Sequence, residues 1–418
     1  MSFGTAPTQN TLAYGPALMA RLDAFARFSE DPDRLTRTFL SPAHRQAAGQ
    51  LLAWMGEAGM SARIDAAGNV VGRYEGDRPG LPVLLLGSHI DTVRDAGKYD
   101  GNLGVLAAVA AVDELNRRGE RLPFAIEVLG FGDEEGVRFP VTLTGSHTVA
   151  GTPDPAAADA VDDAGVRLGD ALRDFGGDPD AVAGEARQRE NVLGYVELHI
   201  EQGPVLEAED LPLGIVTAIN GAARYNVTVR GTAGHAGTVP MDLRQDALAA
   251  AASMVLAVER CAQSRRDVVA TVGRLDVQPG AVNVIPGAVR FTIDIRAPDD
   301  ADRLAAMAEM TAALEGIARG RGVELALDHY HDAGAVQCDP ALMDRLETAI
   351  RRHGLPARRL PSGAGHDAMA MASLTRVAML FLRCRGGISH NPAESITVED
   401  ADLAIRVLLD LLRQYDPA

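Results

Sequence analysis

At 418 residues the chain is too long for one ordinary core, since domains run to about 100–200 residues, and two domains are the simplest expectation. Its formal net charge of −17, from 57 acidic and 40 basic residues with the acids spread along the chain, argues against a nucleic-acid partner, which needs a basic face. Cys261, Cys338 and Cys384 lie far apart without a C-x-x-C pair, which argues against a disulfide framework and a thiolate zinc site, so any metal must use histidines and carboxylates.

The opening MSFGTAPTQN lacks the positive start and apolar core of a signal peptide, and no apolar run approaches the ~18 residues of a membrane span. A cytoplasmic protein without a membrane partner is expected. ALMARLDAFARFS and SPAHRQAAGQLLAWMGEAG space their apolar residues by three and four and read as amphipathic helices, the second capped by Ser41 with Pro42 in its first turn. LPVLLLGSH is then a short apolar run of the buried-strand kind. GVLAAVAAVDELNRRG is a helix closed by glycine, and FAIEVLGF is a second buried strand. GYVELHI is a third, after an Asp- and Ala-rich excursion from about Thr152 to Arg189. This alternation implies an α/β domain with a mainly parallel sheet.

From Gly214 to about Tyr330 the texture changes to half-exposed strands in pairs with two long helices between them. The pattern strand–strand–helix–strand–strand–helix–strand suggests an inserted α+β, ferredoxin-like domain with helices on one face of an antiparallel sheet. After it the α/β texture returns. The expected boundaries are therefore 1–212 and 331–418 for a discontinuous α/β domain and 213–330 for the insert.

Four polar clusters sit at or just past strand ends: His89 with Asp91, Asp133–Glu135 in GFGDEEG, His199 with Glu201, and His390 in GISHNPAE. In open α/β sheets ligands bind beyond the carboxyl ends of the strands, so these clusters can converge, joined by Asp100 from the next loop. Three histidines and two carboxylates suffice for two divalent ions such as Zn or Mn if one carboxylate bridges. Asp91 is placed to hold the other nitrogen of the His89 imidazole. Of the adjacent acids, Glu135 can bind metal while Glu134 stays free to move a proton. Singly, a histidine after a strand is more often a satisfied polar group, and a Glu–Glu pair ordinary solvated surface. The weight lies in coincidence, because four of the ten histidines, counting His235, fall in glycine-rich strand ends or turns. His44, His329, His331 and His353 lie in helical or polar contexts and read as structural. In the insert, GTAGHAGTVPM places His235 in a small-residue turn, while Asn283 and Arg296 offer the amide and guanidinium that suit a carboxylate, though they read equally well as a turn asparagine and a surface arginine.

GSHIDTV, YDGNLGV, DEEGVRF, YVELHIEQGPVLE, GHAGTVPM, PGAVNVIPG, IDIR, SGAGHDAM and GISHNPAE follow one another in an order that resembles the amidase, hydantoinase and carbamoylase branch of the M20 metallopeptidase-like family, over residues 87–394. The resemblance implies two divalent ions, Zn or Mn with Co and Ni also compatible, on His89, Asp100 as bridge, Glu135, His199 and His390. It implies Glu134 as general acid/base and substrate contacts from Gln202, His235, Asn283 and Arg296. His235 would reach the active site of the partner subunit in a homodimer formed through the insert, and His366 and Asp367 would support the site from behind. Two departures are Gly234, where many relatives carry asparagine, and His147, where many carry arginine. The expected reaction is cleavage of a ureido carbon–nitrogen bond in a small carboxylate substrate with release of ammonia. SGAGHDAMAMASL and FLRCRGGISH are most similar to enzymes acting on allantoate, with N-carbamoyl-L-amino acids as the alternative substrates. Two other readings are a peptidase of the same superfamily and a non-catalytic metal-dependent binding protein; a free Glu134 argues against the second.

Overall fold

The computed structural model describes residues 13–417, so the opening MSFGTAPTQN lies outside it. The chain forms two units. One runs up to Thr217 and includes Cys338–Leu360 and the chain from His366 onward; the other comprises Ala218–Gln337 with Pro361–Gly365.

The first unit is built on four parallel strands. Val83–His89 lies between Ala125–Phe131 and Val192–Ile200, and Val377–Leu382 pairs with the far side of Val192–Ile200. Three of the four are buried along their whole length and the fourth along all but its first two residues, as strands covered on both faces must be. Antiparallel strands flank them: Ser61–Ile64 and Val70–Tyr74 on one side, and Leu213–Ile219 on the other. The helix Asn102–Arg117 packs on the central strands, with the final helix Val398–Gln414 against it. It lies very close, because a Cβ at Gly104 would fall 2.1 Å from the carbonyl oxygen of Leu198. Ser41 caps the helix Pro42–Glu57 by accepting the His44 amide, and Thr397 does the same for the final helix.

The second unit is an antiparallel sheet in the order Leu275–Gln278, Ala288–Ala297, Gly221–Arg230, Glu324–Ala333, the ferredoxin-like order. Alternate residues of its inner strands, Ala223, Tyr225, Val227, Val229, Phe291, Ile293 and Ile295, meet the helices Ala247–Gln263 and Asp300–Arg321 in one core. Asp246 and Asp299 cap those helices.

Leu213–Ile219 differs from its sequence reading. Its apolar and small residues suggested the opening strand of the insert, yet all but Thr217 are buried, and Leu213–Ile215 pairs with Leu380–Leu382 in the first unit. The second unit accordingly begins at Ala218 where residue 213 was expected, and extends to Gln337 where 330 was expected. All three cysteines are free and buried. Among the described residues, no helix is long and apolar enough to cross a membrane.

Candidate metal centre

The carboxyl ends of the parallel strands deliver the expected side chains to one place. His89 ends its strand, Glu134 and Glu135 follow Phe131, His199 is the last residue but one of its strand, and His390 lies beyond Leu382. Asp100 enters from the loop before Asn102–Arg117. Its Oδ1 stands 3.1 Å from His199 Nε2 and 3.6 Å from His89 Nε2. Its Oδ2 stands 3.3 Å from His390 Nε2, which is itself 3.5 Å from Glu135 Oε2. One carboxylate thus serves two donor sets, His89–Asp100–His199 and Asp100–Glu135–His390, each with its ligand atoms within 4.8 Å of one another. Gly101 makes this approach attainable: its φ is +64°, and a Cβ there would fall 2.4 Å from the His89 ring.

The hydrogen bonds behind the rings fix which atoms face inward. His89 Nδ1 lies 3.0 Å from the main-chain oxygen of Asp91, and His199 Nδ1 lies 2.9 Å from that of Ile200. A carbonyl only accepts, so each Nδ1 carries the proton and each Nε2 points a lone pair at Asp100. His199 Nε2 is buried with no hydrogen-bond partner. Lone pairs on nitrogen and carboxylate facing one another in a desolvated site form a donor set that a divalent cation would satisfy, and imidazole with carboxylate suits Zn, Mn, Co or Ni. Without metal, burial would push the Asp100 carboxyl up, but protons taken up by His199, His390 and His89 on the nitrogens that face it hold it well below the usual carboxylate range.

Asp91 holds His89, but not as its side chain suggested. The main-chain carbonyl makes the contact, while the carboxylate stays 3.9 Å from Nδ1. That carboxylate instead faces the amide N–H groups of Glu134 and Glu135, at 3.2 and 3.3 Å, and so sets the turn carrying both acids. Glu134 Oε2 reaches to 3.9 Å from His89 Nε2. Burial, joined by repulsion from Glu135, Asp367 and Asp91, outweighs the attraction of His89 and pushes its carboxyl well above the usual range, as a proton carrier needs. Burial and the charge of Asp100 likewise raise Glu135 to about 7.

The other acids of the clusters do different work. Asp133 is buried, at φ +68°, and accepts the Thr144 hydroxyl. Glu201 accepts the amides of Val205 and Leu206 at the start of a short helix. Gln202, at φ +55°, donates its amide N–H to Asp100 Oδ2 at 2.9 Å and to Ser389 Oγ at 3.1 Å. The His366 ring lies 4.5 Å from the His199 ring, and Asp367 beside it is fully buried, its carboxyl pushed well up by burial and then by Glu197.

Sequence reasoning passed over three side chains near these ligands. Glu197, inside a buried strand, accepts Ser88 Oγ at 2.8 Å, Tyr195 Oη at 3.2 Å and the Ala368 amide at 3.0 Å. A charged residue in the apolar run GYVELHI was the signal available for it. Arg37 is fully buried and donates to the carbonyls of Ile90, Phe25 and Phe28 and to Asn102 Oδ1, bracing the chain beside His89 and Asp100. Nothing in its local sequence marks it. Glu394 stood in the quoted GISHNPAE and was assigned no role.

The second unit contains His235, Asn283 and Arg296. His235 pairs with Val284 across a two-residue ladder, and the Asn283 carbonyl accepts the Ala236 amide, so the two side chains share one turn region. His235 Nδ1 accepts the Gly237 amide at 3.0 Å, leaving Nε2–H as an exposed donor. Arg296 donates Nε and Nη2 to Asp294, at 2.7 and 3.0 Å, and Nη1 to the Gly363 carbonyl at 2.7 Å. In the first unit, His147 Nδ1 lies 2.9 Å from Thr152 Oγ1, and the ring lines a cavity of about 590 Å³ together with Thr142 and Thr144.

Comparison with known proteins places this geometry among relatives. The profile of peptidase family M20/M25/M40 matches residues 85–414. Allantoate deiminase 1 of Glycine max is 42% identical over 91% of this chain and 86% of its own length. The N-carbamoyl-L-amino acid amidohydrolase of Geobacillus stearothermophilus is 40% identical, over 94% of this chain and 97% of its own. A crystal structure of an amidase of the hydantoinase/carbamoylase family from Burkholderia multivorans superposes with a TM-score of 0.90 at 34% identity, covering 95% of this chain and 97% of that one.

Proposed function

The chain belongs to the M20/M25/M40 peptidase family, and from that premise we propose that it is a dimetal amidohydrolase that releases ammonia from the ureido group of a small carboxylate, allantoate in the first instance. The observation that carries the reading is the division of Asp100, Oδ1 toward His89 and His199 and Oδ2 toward His390 and Glu135. Two divalent ions, when bound there, would supply the Lewis acidity that activates water and polarises a carbonyl oxygen.

Arg296 and Asn283 offer charge-assisted and neutral hydrogen bonds to the substrate carboxylate. His235 presents Nε2–H toward the oxygen on which charge develops, a donor of the kind whose removal costs a few kcal/mol. Glu134 takes a proton from the attacking water and gives it to the leaving nitrogen; the carbon–nitrogen bond breaks and ammonia departs. Burial favours its protonated form, which suits the second step, the donation to the leaving nitrogen. Gln202, His366 and Asp367 hold the ligands in place, and Asp91 holds the turn bearing Glu134.

An N-carbamoyl-L-amino acid as substrate is the second reading, favoured by the 40% identical carbamoyl hydrolase. The ions are Zn or Mn, the protein is a cytoplasmic homodimer joined through the second unit, and His235 serves the partner subunit. The test is ammonia release by manganese-loaded protein from allantoate and, separately, from N-carbamoyl-L-amino acids. Faster release from allantoate bears out the first reading and faster release from the carbamoyl amino acids the second. No release from either refutes both and leaves peptide cleavage or metal-dependent binding.

A further inference from the structure

We propose that Glu394 is the positioning residue of the bridging carboxylate, setting Asp100 and through it the affinity of both metal loci; the proposal rests on Asp100 being that bridge. Glu394 is 4% exposed and far from Asp100 in sequence. Its Oε1 accepts the amide N–H groups of Tyr99, at 2.8 Å, and Asp100, at 3.1 Å. Its Oε2 lies 3.2 Å from Ser389 Oγ, and the same hydroxyl lies 2.8 Å from Asp100 Oδ2. Glu394 therefore grips Asp100 directly at its main chain, and it backs Ser389, whose single hydroxyl proton goes to the nearer acceptor, Asp100 Oδ2. The loop is pressed onto this grip, since a Cβ at Gly97 would fall 2.3 Å from the Glu394 carboxyl group.

The arrangement also joins the two loci. Ser389 precedes His390, so Glu394 ties the loop that brings the bridge to the loop that brings a ligand of the second set. Strands fix His89 and His199, but Asp100 and His390 both sit on loops, and Glu394 with Ser389 is what registers one against the other. Outer groups of this kind govern metal affinity by about 10–100-fold when removed.

The experiment measures manganese and zinc affinity of chelator-stripped protein by competition with a metallochromic dye, with the melting temperature of the metal-free protein in parallel. Glu394→Ala is expected to weaken binding about 10–100-fold at both loci. Glu394→Gln keeps an oxygen for the two amides and an NH2 for Ser389, and is expected to restore most of the affinity. Ser389→Ala, which cuts only the side-chain grip, is expected to fall between them. A purely structural role would lower the metal-free melting temperature and leave affinity unchanged, and that result overturns the proposal. Should Glu394→Ala fail to fold, Ser389→Ala decides: unchanged affinity overturns the proposal and weakened affinity upholds it. Wild-type protein that binds no metal would instead overturn the dimetal reading itself.

Discussion

Glu134→Gln separates proton transfer from metal binding. Glu134 Oε2 lies 3.9 Å from His89 Nε2, and with His89 and Glu135 it forms a third set of potential ligand atoms, so a ligand role competes with the acid/base role. The amide keeps the size of the side chain, and the Asp91 carboxylate still faces the main-chain N–H groups of residues 134 and 135, so the turn stays where it is. What is lost is the ability to take up and return a proton. A positioned general base contributes about 10²–10⁴-fold, or roughly 3–5 kcal/mol of barrier. Steady-state ammonia release from the preferred substrate should therefore show kcat lowered by at least that factor with KM little changed. Elemental analysis of the same preparation after dialysis should show two ions per chain, as in the wild type. A variant that loses metal, or keeps kcat within a few-fold, would refute the assignment of Glu134.

Asp100→Asn removes the charge shared by three imidazoles and should bring the retained metal below one ion per chain by elemental analysis; two retained ions would contradict a bridging role. Arg296→Ala should raise KM for a carboxylate substrate by about 10–100-fold with metal content unchanged, since hydrogen bonds to charged groups are worth about 1.5–3 kcal/mol. An unchanged KM would show that the guanidinium serves only Asp294 and Gly363. For metal-free protein the pH dependence has a definite sign. Glu135 is raised by burial from 4.5 to about 7, so its charged form opposes folding increasingly above pH 4.5, up to about 7. His390 is raised by its hydrogen bond to Asp100 from 6.5 to about 8, so its favourable contribution is full below 6.5 and is lost as pH rises through 8. Both lower stability as pH rises from about 4.5 to 8, and added manganese should remove the loss. A metal-free melting temperature that rises across this interval would contradict it.

Much of the centre was legible because strand ends in a parallel sheet converge by construction. His89, Glu135, His199 and His390 each close or follow an apolar run, and the structure brings all four to Asp100. What escaped was whatever depends on main-chain direction. Asp91 was expected to act through its carboxylate, but two residues beyond His89 the chain turns so that the carbonyl meets the ring and the carboxylate faces the other way. Leu213–Ile219 looked like a strand of the insert because its residues fit either sheet, and only its pairing with Leu380–Leu382 decides the matter. Arg37 and Glu394 hold residues far away in sequence, Asn102 and Asp100, and no local pattern encodes such a partner. Gln202 carried an expected substrate role, and the structure adds its contact with Asp100.

The most direct test of the central claim is a titration of chelator-stripped protein with manganese while ammonia release from allantoate is followed. The account predicts no release without metal and a rate that climbs to a plateau at two equivalents per chain. Release that proceeds without metal, or metal uptake to two equivalents with no ammonia from any ureido carboxylate, would contradict it.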